Sequence, residues 1–159
     1  MGAGRTAARA SLTAFADVSS DMPDEVAPPP DIRVLGRSLV DTFGRAWARG
    51  DVDALMAVFS PEPVFLETPF SEPLRGTAAV RRFWLEVPLN QSEIAFHSGE
   101  IYGVGPWFST EFKCVYRRKR TGEWVDARGA IFCETDGDRI SEMRMYWHRF
   151  NGGRETSKP

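Results

Sequence analysis

The sequence has little of what most dedicated chemical sites are built from. Its 159 residues include two cysteines and two histidines. Cys114 and Cys133 each sit inside an apolar stretch, and His97 and His148 lie far apart, so no metal-ligand spacing is present. A disulfide framework is not implied either, and free buried thiols in a reducing cytoplasm are the expected state. No apolar run reaches membrane-spanning length, and the first residues lack the hydrophobic core of a signal peptide. Met1-Gly2-Ala3-Gly4-Arg5-Thr6 fits the loose myristoylation pattern, which an Ala/Gly/Arg-rich start produces by chance. Neither sign of charge dominates. A net charge of -2 argues against general attraction to nucleic acid or to an anionic membrane. The one basic run, Arg117-Arg118-Lys119-Arg120, precedes Thr121-Gly122 and has no interleaved aromatics, so it reads as a solvated hairpin tip. Phosphate loops, dinucleotide fingerprints and nucleophile elbows are missing, and no cofactor or metal is expected.

What is present is globular. Hydrophobic residues make up 42% of the chain, enough for one domain with a real core. Residues 1–30 are small, polar and proline-bearing, and are expected to be a disordered tail. Asp31 is placed to cap a helix in which Ile32, Leu35, Leu39, Phe43 and Trp47 recur at helical spacing, with Gly50 ending it. Asp51 can cap a second helix, stopped by Ser60-Pro61. A strand over 64–68 and a loop over 69–76 follow, then a third helix capped by Thr77 and running to about Val87, closed by Pro88. Strands are predicted over 92–103, 107–117, 123–134 and 139–149, separated by Gly and Asp turn residues. Residues 31–150 form the domain, and 151–159 a polar tail. Helices followed by a strand meander give an α+β fold, a curved sheet covered on one face by three helices, with a conical cavity between.

Three stretches carry a resemblance. Ala48-Arg49-Gly50-Asp51-Val52-Asp53-Ala54-Leu55-Met56-Ala57-Val58-Phe59 is similar to the helix junction of the ketosteroid isomerase and SnoaL-like families. Ser71-Glu72-Pro73-Leu74-Arg75-Gly76-Thr77-Ala78-Ala79-Val80-Arg81-Arg82-Phe83-Trp84 resembles their loop and third helix, and Asp138 to Trp147 their last strand. The resemblance implies the cone-shaped, cystatin-like α+β barrel of the nuclear transport factor 2-like superfamily, a homodimer, and a cavity for a small hydrophobic, steroid- or polyketide-like molecule. Ketosteroid isomerases use an aspartate base with a tyrosine and a protonated aspartic acid as donors. Placed on this sequence, the tyrosine falls on Phe43, the base on Thr68 and the second acid near Gly129. Phenyl, hydroxyl and bare backbone cannot perform those roles.

The hairpin 107–134 has two unlike faces. Pairing 117 with 122 sets Glu111 opposite Arg128 and Lys113 opposite Asp126, two favourable charge pairs. Phe108, Thr110, Phe112, Cys114 and Tyr116 then share a face with Val125, Ala127, Gly129, Ile131 and Cys133. If that apolar face lines the cone, Phe43, Thr68, Phe112, Cys114, Tyr116, Gly129, Met145 and Trp147 are the expected ligand-binding set. The charged face is then a dimer interface or solvent surface. If the other face turns inward, Glu111, Asp126 and Arg128 resemble the acid–arginine–acid set of the superfamily's epoxide hydrolases. Glu67 is a further carboxylate, directed away by alternation unless Pro69 distorts the strand end. His97 and His148 are candidate proton carriers. Three functions follow: a hydrophobic-ligand binder that at most shapes a cyclisation or isomerisation, an enzyme with relocated carboxylates, or a dimeric interaction module with a collapsed cavity.

Overall fold

The computed structural model describes residues 31–152; the expected tail 1–30 and residues 153–159 lie outside them. Asp31 does cap the first helix, α1 (Ile32–Arg49), its Oδ1 accepting the Arg33 N–H at 2.9 Å. Gly50 ends α1, and Asp51 accepts the Ala54 N–H at 3.0 Å to open α2 (Val52–Met56). Ser60-Pro61 does not mark the end of a helix. The strand β1 (Phe59–Leu66) begins earlier than expected, because the Ile140 N–H donates to Val58 O at 2.8 Å and Phe59 pairs with Ile140. Pro61 and Pro63, which have no N–H, fall where the register shifts between Phe59 and Val64.

The loop after β1 contains a short strand, β2 (Leu74–Arg75). The third helix, α3 (Thr77–Asn90), runs three residues past Val87 and includes Pro88. Its cap is Gly76, and the expected capping residue Thr77 instead donates its hydroxyl to Pro61 O at 2.6 Å. The predicted strand 92–103 divides into β3 (Gln91–Ser98) and β4 (Tyr102–Val104), both paired with β5 (Trp107–Arg118). β6 (Trp124–Asp136) and β7 (Arg139–Asn151) complete the sheet.

The strands run β2-β1-β7-β6-β5-β3, with β4 also on β5. Every pair is antiparallel except β1 with β7, which is parallel. The sheet is open and mixed, and the helices cover one face of it. Phe43, Trp47, Val80 and Trp84 from the helices meet Phe65, Phe112, Ile131 and Met143 from the sheet in a single core. Burial of this apolar area is the main driving force for folding.

The β5–β6 hairpin is paired two residues away from the expected register. Arg117 lies opposite Trp124, so Glu111 faces Ala130, Lys113 faces Arg128 and Val115 faces Asp126. The loop decides this. Arg118 N–H donates to Glu123 O at 2.9 Å, and Gly122 N–H to Arg118 O at 2.8 Å, closing a turn over residues 119–122. Turn closure outweighs cross-strand charge pairs of under ~1 kcal/mol each. A two-residue shift leaves the faces unchanged, so Phe108, Thr110, Phe112, Cys114 and Tyr116 share the buried side with Val125, Ala127, Ile131 and Cys133.

Gly129 on that side has no room for a side chain. A Cβ there would lie 2.0 Å from the Tyr146 carbonyl oxygen and 2.6 Å from the Trp147 Cα, both backbone atoms of β7. An aspartic acid at this point, as in the isomerases, would force the two strands apart. Gly129→Ala is expected to lower stability by about 2–4 kcal/mol in urea unfolding. A value within experimental error of the natural protein would show that β7 yields there.

Candidate functional site

The helices and the inner face of the sheet enclose a narrow cavity of about 120 Å³. Trp47 of α1, Phe83 and Trp84 of α3, and Phe112 and Met145 of the sheet form its apolar walls. The polar groups on it are Glu67, Gln91, Tyr116 and Arg149. The crowding of rings explains the small volume. Phe43 contacts Trp47, Trp84 and Phe96 edge-on, with centroids 5.9, 5.2 and 6.0 Å away, and Phe96 stacks on Phe112 at 5.8 Å.

Glu67 enters the cavity because it lies two positions after Phe65, which lines the same space, so alternation along β1 carries it to the inner side. Alternation counted from Thr68 directs it away instead, but Thr68 belongs to the turn that follows. The Trp147 indole N–H donates to the Glu67 carbonyl oxygen at 2.8 Å, tying this point of the chain to β7. Burial raises the pKa of the Glu67 carboxyl above its ordinary value, and the charge of Arg149 partly opposes the rise. Burial likewise raises the pKa of the Tyr116 phenol, with Arg118 and Arg149 opposing it, so Tyr116 is a neutral donor at physiological pH. The site therefore has a carboxyl group able to change protonation nearer neutrality and a phenol that keeps its proton.

Three indoles border the same space. Trp47 donates to Gln91 Oε1 at 3.0 Å and Trp147 to Glu67 O, but the buried Nε1 of Trp84 has no hydrogen-bond partner. An unpaired buried donor costs about 1–3 kcal/mol.

Of the expected ligand-binding residues, Phe112, Tyr116, Met145 and Trp147 line this cavity. Phe43 does not; it is fully buried behind the wall, under Trp47 and Trp84. Thr68 does not line it either, since its hydroxyl is 2.8 Å from Ser71 Oγ and its carbonyl accepts the Ser71 N–H in the following turn. Cys114 is buried beyond reach, with burial, and secondarily the charge of Asp126, pushing its thiol up to about 12. Gly129 contributes backbone on the other side, to an open groove with His97, Glu111, Lys113 and Arg128.

The remaining catalytic candidates stand away from the cavity. Glu111, His97, His148 and Arg128 are exposed, on the sheet face opposite the helices or at its edge. Asp126 is on that outer face too but is buried, and Arg128 forks onto it at 3.1 and 2.8 Å while Lys113 Nζ approaches to 3.7 Å. The Arg128 hydrogen bonds hold the Asp126 carboxyl below the usual range against the effect of burial. Glu111, opposite Ala130 on β6, does not complete a hydrolase-like triad with this pair. Sequence reasoning does not single out Arg149, Gln91 or Trp84. Of these, Arg149 carries a usable signal, because it continues the Met145, Trp147 alternation on β7. Among the described residues no cluster of acids, histidines and cysteines could hold a metal, and no helix is long and apolar enough to cross a membrane.

Comparison with known proteins agrees with this architecture. The SnoaL-like domain model matches residues 40–143. Similar solved structures include a Bacillus subtilis protein described as a candidate isomerase (19% identical, TM-score 0.67, covering 74% of this chain and 89% of that one). Another is SalBIII, an epoxide hydrolase/cyclase-like enzyme of pyran ring formation in the polyether salinomycin (17%, TM-score 0.63, 70% and 89%). A third is a Mycobacterium tuberculosis protein in complex with estradiol-17beta-hemisuccinate (15%, TM-score 0.61, 72% and 94%). At such identities the likeness establishes the fold alone. No curated protein matches the chain.

The outer carboxylate gives a pH test. A depressed Asp126 pKa means that its stabilisation is full above the unfolded value, near pH 4, and is lost as pH falls through the folded value. Asp126→Asn is expected to cost about 1–2 kcal/mol at pH 7, and the difference should fade as the pH is lowered into the acid range and the carboxyl becomes protonated in the folded state. A pH-independent difference would assign the loss to packing instead.

Proposed function

The chain belongs to the SnoaL-like domain family, and from that premise we propose that its cone cavity takes a small, mostly apolar ring compound with which Glu67 exchanges a proton. One observation carries the reading: a carboxyl whose pKa burial raises and a neutral phenol border the same aromatic cavity. Their chemistry suits proton transfer at a carbon next to a carbonyl, as in isomerisation of an unsaturated ketone. The Glu67 carboxylate takes a proton from the carbon, an enolate forms, and the acid returns the proton to a distant carbon. No cofactor enters this scheme. The carboxylate is relocated by one residue from the base position of the ketosteroid isomerases, at Thr68.

Size narrows the ligand. A cavity of about 120 Å³ is close to the ~150 Å³ that accommodates benzene in an engineered protein core, and well under the ~300 Å³ at which drug-sized sites begin. A single ring fits, whereas a steroid-sized molecule would need Phe83, Trp84 or Trp147 to move. The third function, an interaction module, is less well supported because the cavity keeps ionisable groups. A homodimer through the outer sheet face belongs to the proposal, since Phe132, Tyr146 and Phe150 are exposed there. A cytoplasmic location fits the free, buried Cys114 and Cys133.

Conversion of cyclohex-3-enone to cyclohex-2-enone, followed by ultraviolet absorbance, tests the chemistry. The natural protein should accelerate it, Glu67→Gln should lose about a hundredfold or more, and Thr68→Val should retain it. Turnover unaffected by Glu67→Gln would overturn the role of the carboxylate. Stability should move the other way. A raised pKa means that folding favours the protonated acid, so ionisation weakens the fold as pH rises through the raised value. Glu67→Gln should therefore gain on the natural protein between pH 4 and pH 8 in thermal unfolding. For the dimer, Phe132→Glu combined with Tyr146→Glu should yield monomers in sedimentation; an unchanged mass would place the contact elsewhere.

A further inference from the structure

Arg149 continues the inward alternation of Met145 and Trp147 on β7 and, like them, lines the cavity. It is exposed, so it stands at the mouth of the cavity and not at its floor. Its partner across the ladder is Ala127 of β6, another lining residue, whose methyl group is too short to screen it. The Arg149 charge acts on two groups that reach the cavity from opposite sides of β7, Glu67 just past the end of β1 and Tyr116 of β5. The guanidinium therefore lies between them, over the opening. Among the described residues no carboxylate, Glu67 included, comes within ion-pair distance of it. Arg118, the other cation near Tyr116, is differently placed, because Glu123 pairs with it at 3.3 Å.

The polar lining is also rich in donors and short of acceptors. Arg149 and Tyr116 offer N–H and O–H groups, and Gln91, whose carbonyl oxygen already accepts from Trp47, has its NH₂ left. The one carboxyl on the lining, Glu67, is favoured by burial in its protonated form. We propose that Arg149 determines specificity by binding a carboxylate carried by the ring compound in the cavity. The ligand class is then a small ring acid. Its ring fills the interior of about 120 Å³, and its carboxylate stays at the mouth in the guanidinium fork. There the anion keeps part of its hydration, which a fully buried carboxylate would lose. An anion on Arg149 also removes part of what holds the Glu67 pKa down, so the bound substrate strengthens the base that acts on its ring. The inference rests on the reading of this cavity as the ligand site and deepens it by naming the charge of the substrate.

Benzoate and benzamide test it, because they share a shape and differ in charge. Their dissociation constants are measured by NMR titration at pH 7. Arg149→Met keeps the length of the side chain without its charge. It should shift the ratio of the two constants against benzoate by roughly 10-fold, and Arg149→Lys should restore part of the difference. In the natural protein, benzoate binding should weaken as sodium chloride is raised while benzamide binding holds, a readout that needs no variant. If both probes bind and neither the ratio nor the salt response depends on charge, the inference is overturned and the cavity reading stands. If benzamide binds and benzoate does not, Glu67 repels the anion and the inference falls in the same way. If neither probe binds, the cavity reading fails and takes the inference with it.

Discussion

The hydrogen bond from the Trp147 indole to the Glu67 carbonyl, 80 positions apart in sequence, holds the arrangement together. It joins the end of the first strand to the last strand, beyond the point where the parallel β1–β7 ladder stops at Leu66 and Arg144. A chain leaving a strand without such a tie would be free to direct its next side chain to solvent. Here the backbone of residue 67 is held against the mouth of the cone, and its carboxyl shares the cavity with Tyr116 and Arg149. Because the bond engages a main-chain oxygen, it constrains position without depending on which side chain residue 67 carries.

The second constraint is volume. Phe43, Trp47, Phe83, Trp84, Phe96 and Phe112 fill much of the space between the helices and the sheet with mutually packed rings. Close packing of rigid rings in preferred edge-on geometry makes the residual cavity a definite shape rather than a fluid interior. The same crowding isolates the Trp84 nitrogen from water and from any protein acceptor, so one property of the core produces both the size limit and the unpaired donor.

Apart from Glu67 and Arg149, the charged candidates are kept away from this interior. Asp126, Arg128 and Lys113 lie on the outer sheet face, where the buried carboxylate is held by two cations. Their two-residue spacing on a strand looks the same in sequence whether it builds a catalytic triad or an ion-pair ladder, and sidedness alone separates the two. Alternation correctly indicates that the apolar face of the β5–β6 hairpin is the enclosed one. The register within that hairpin is not predictable from charge, because a loop closed by two backbone hydrogen bonds, through Arg118, Gly122 and Glu123, outweighs weak side-chain pairs.

Helix caps at Asp31 and Asp51, the apolar stripe of α1, the turns at 105–106, 120–122 and 136–138, and hence the class of fold are legible because they depend on interactions within a few residues. Motif resemblance further indicates that the usual proton-handling groups are replaced. Sequence by itself does not determine that Glu67 turns inward, that Arg149 joins it, that Phe43 lies behind the cavity wall, or that Trp84 lacks a partner. Each of those facts depends on where chain segments tens of residues apart come to rest against one another. Local pattern decides which elements form; only their packing decides which side chains meet and which are left with an unsatisfied bond.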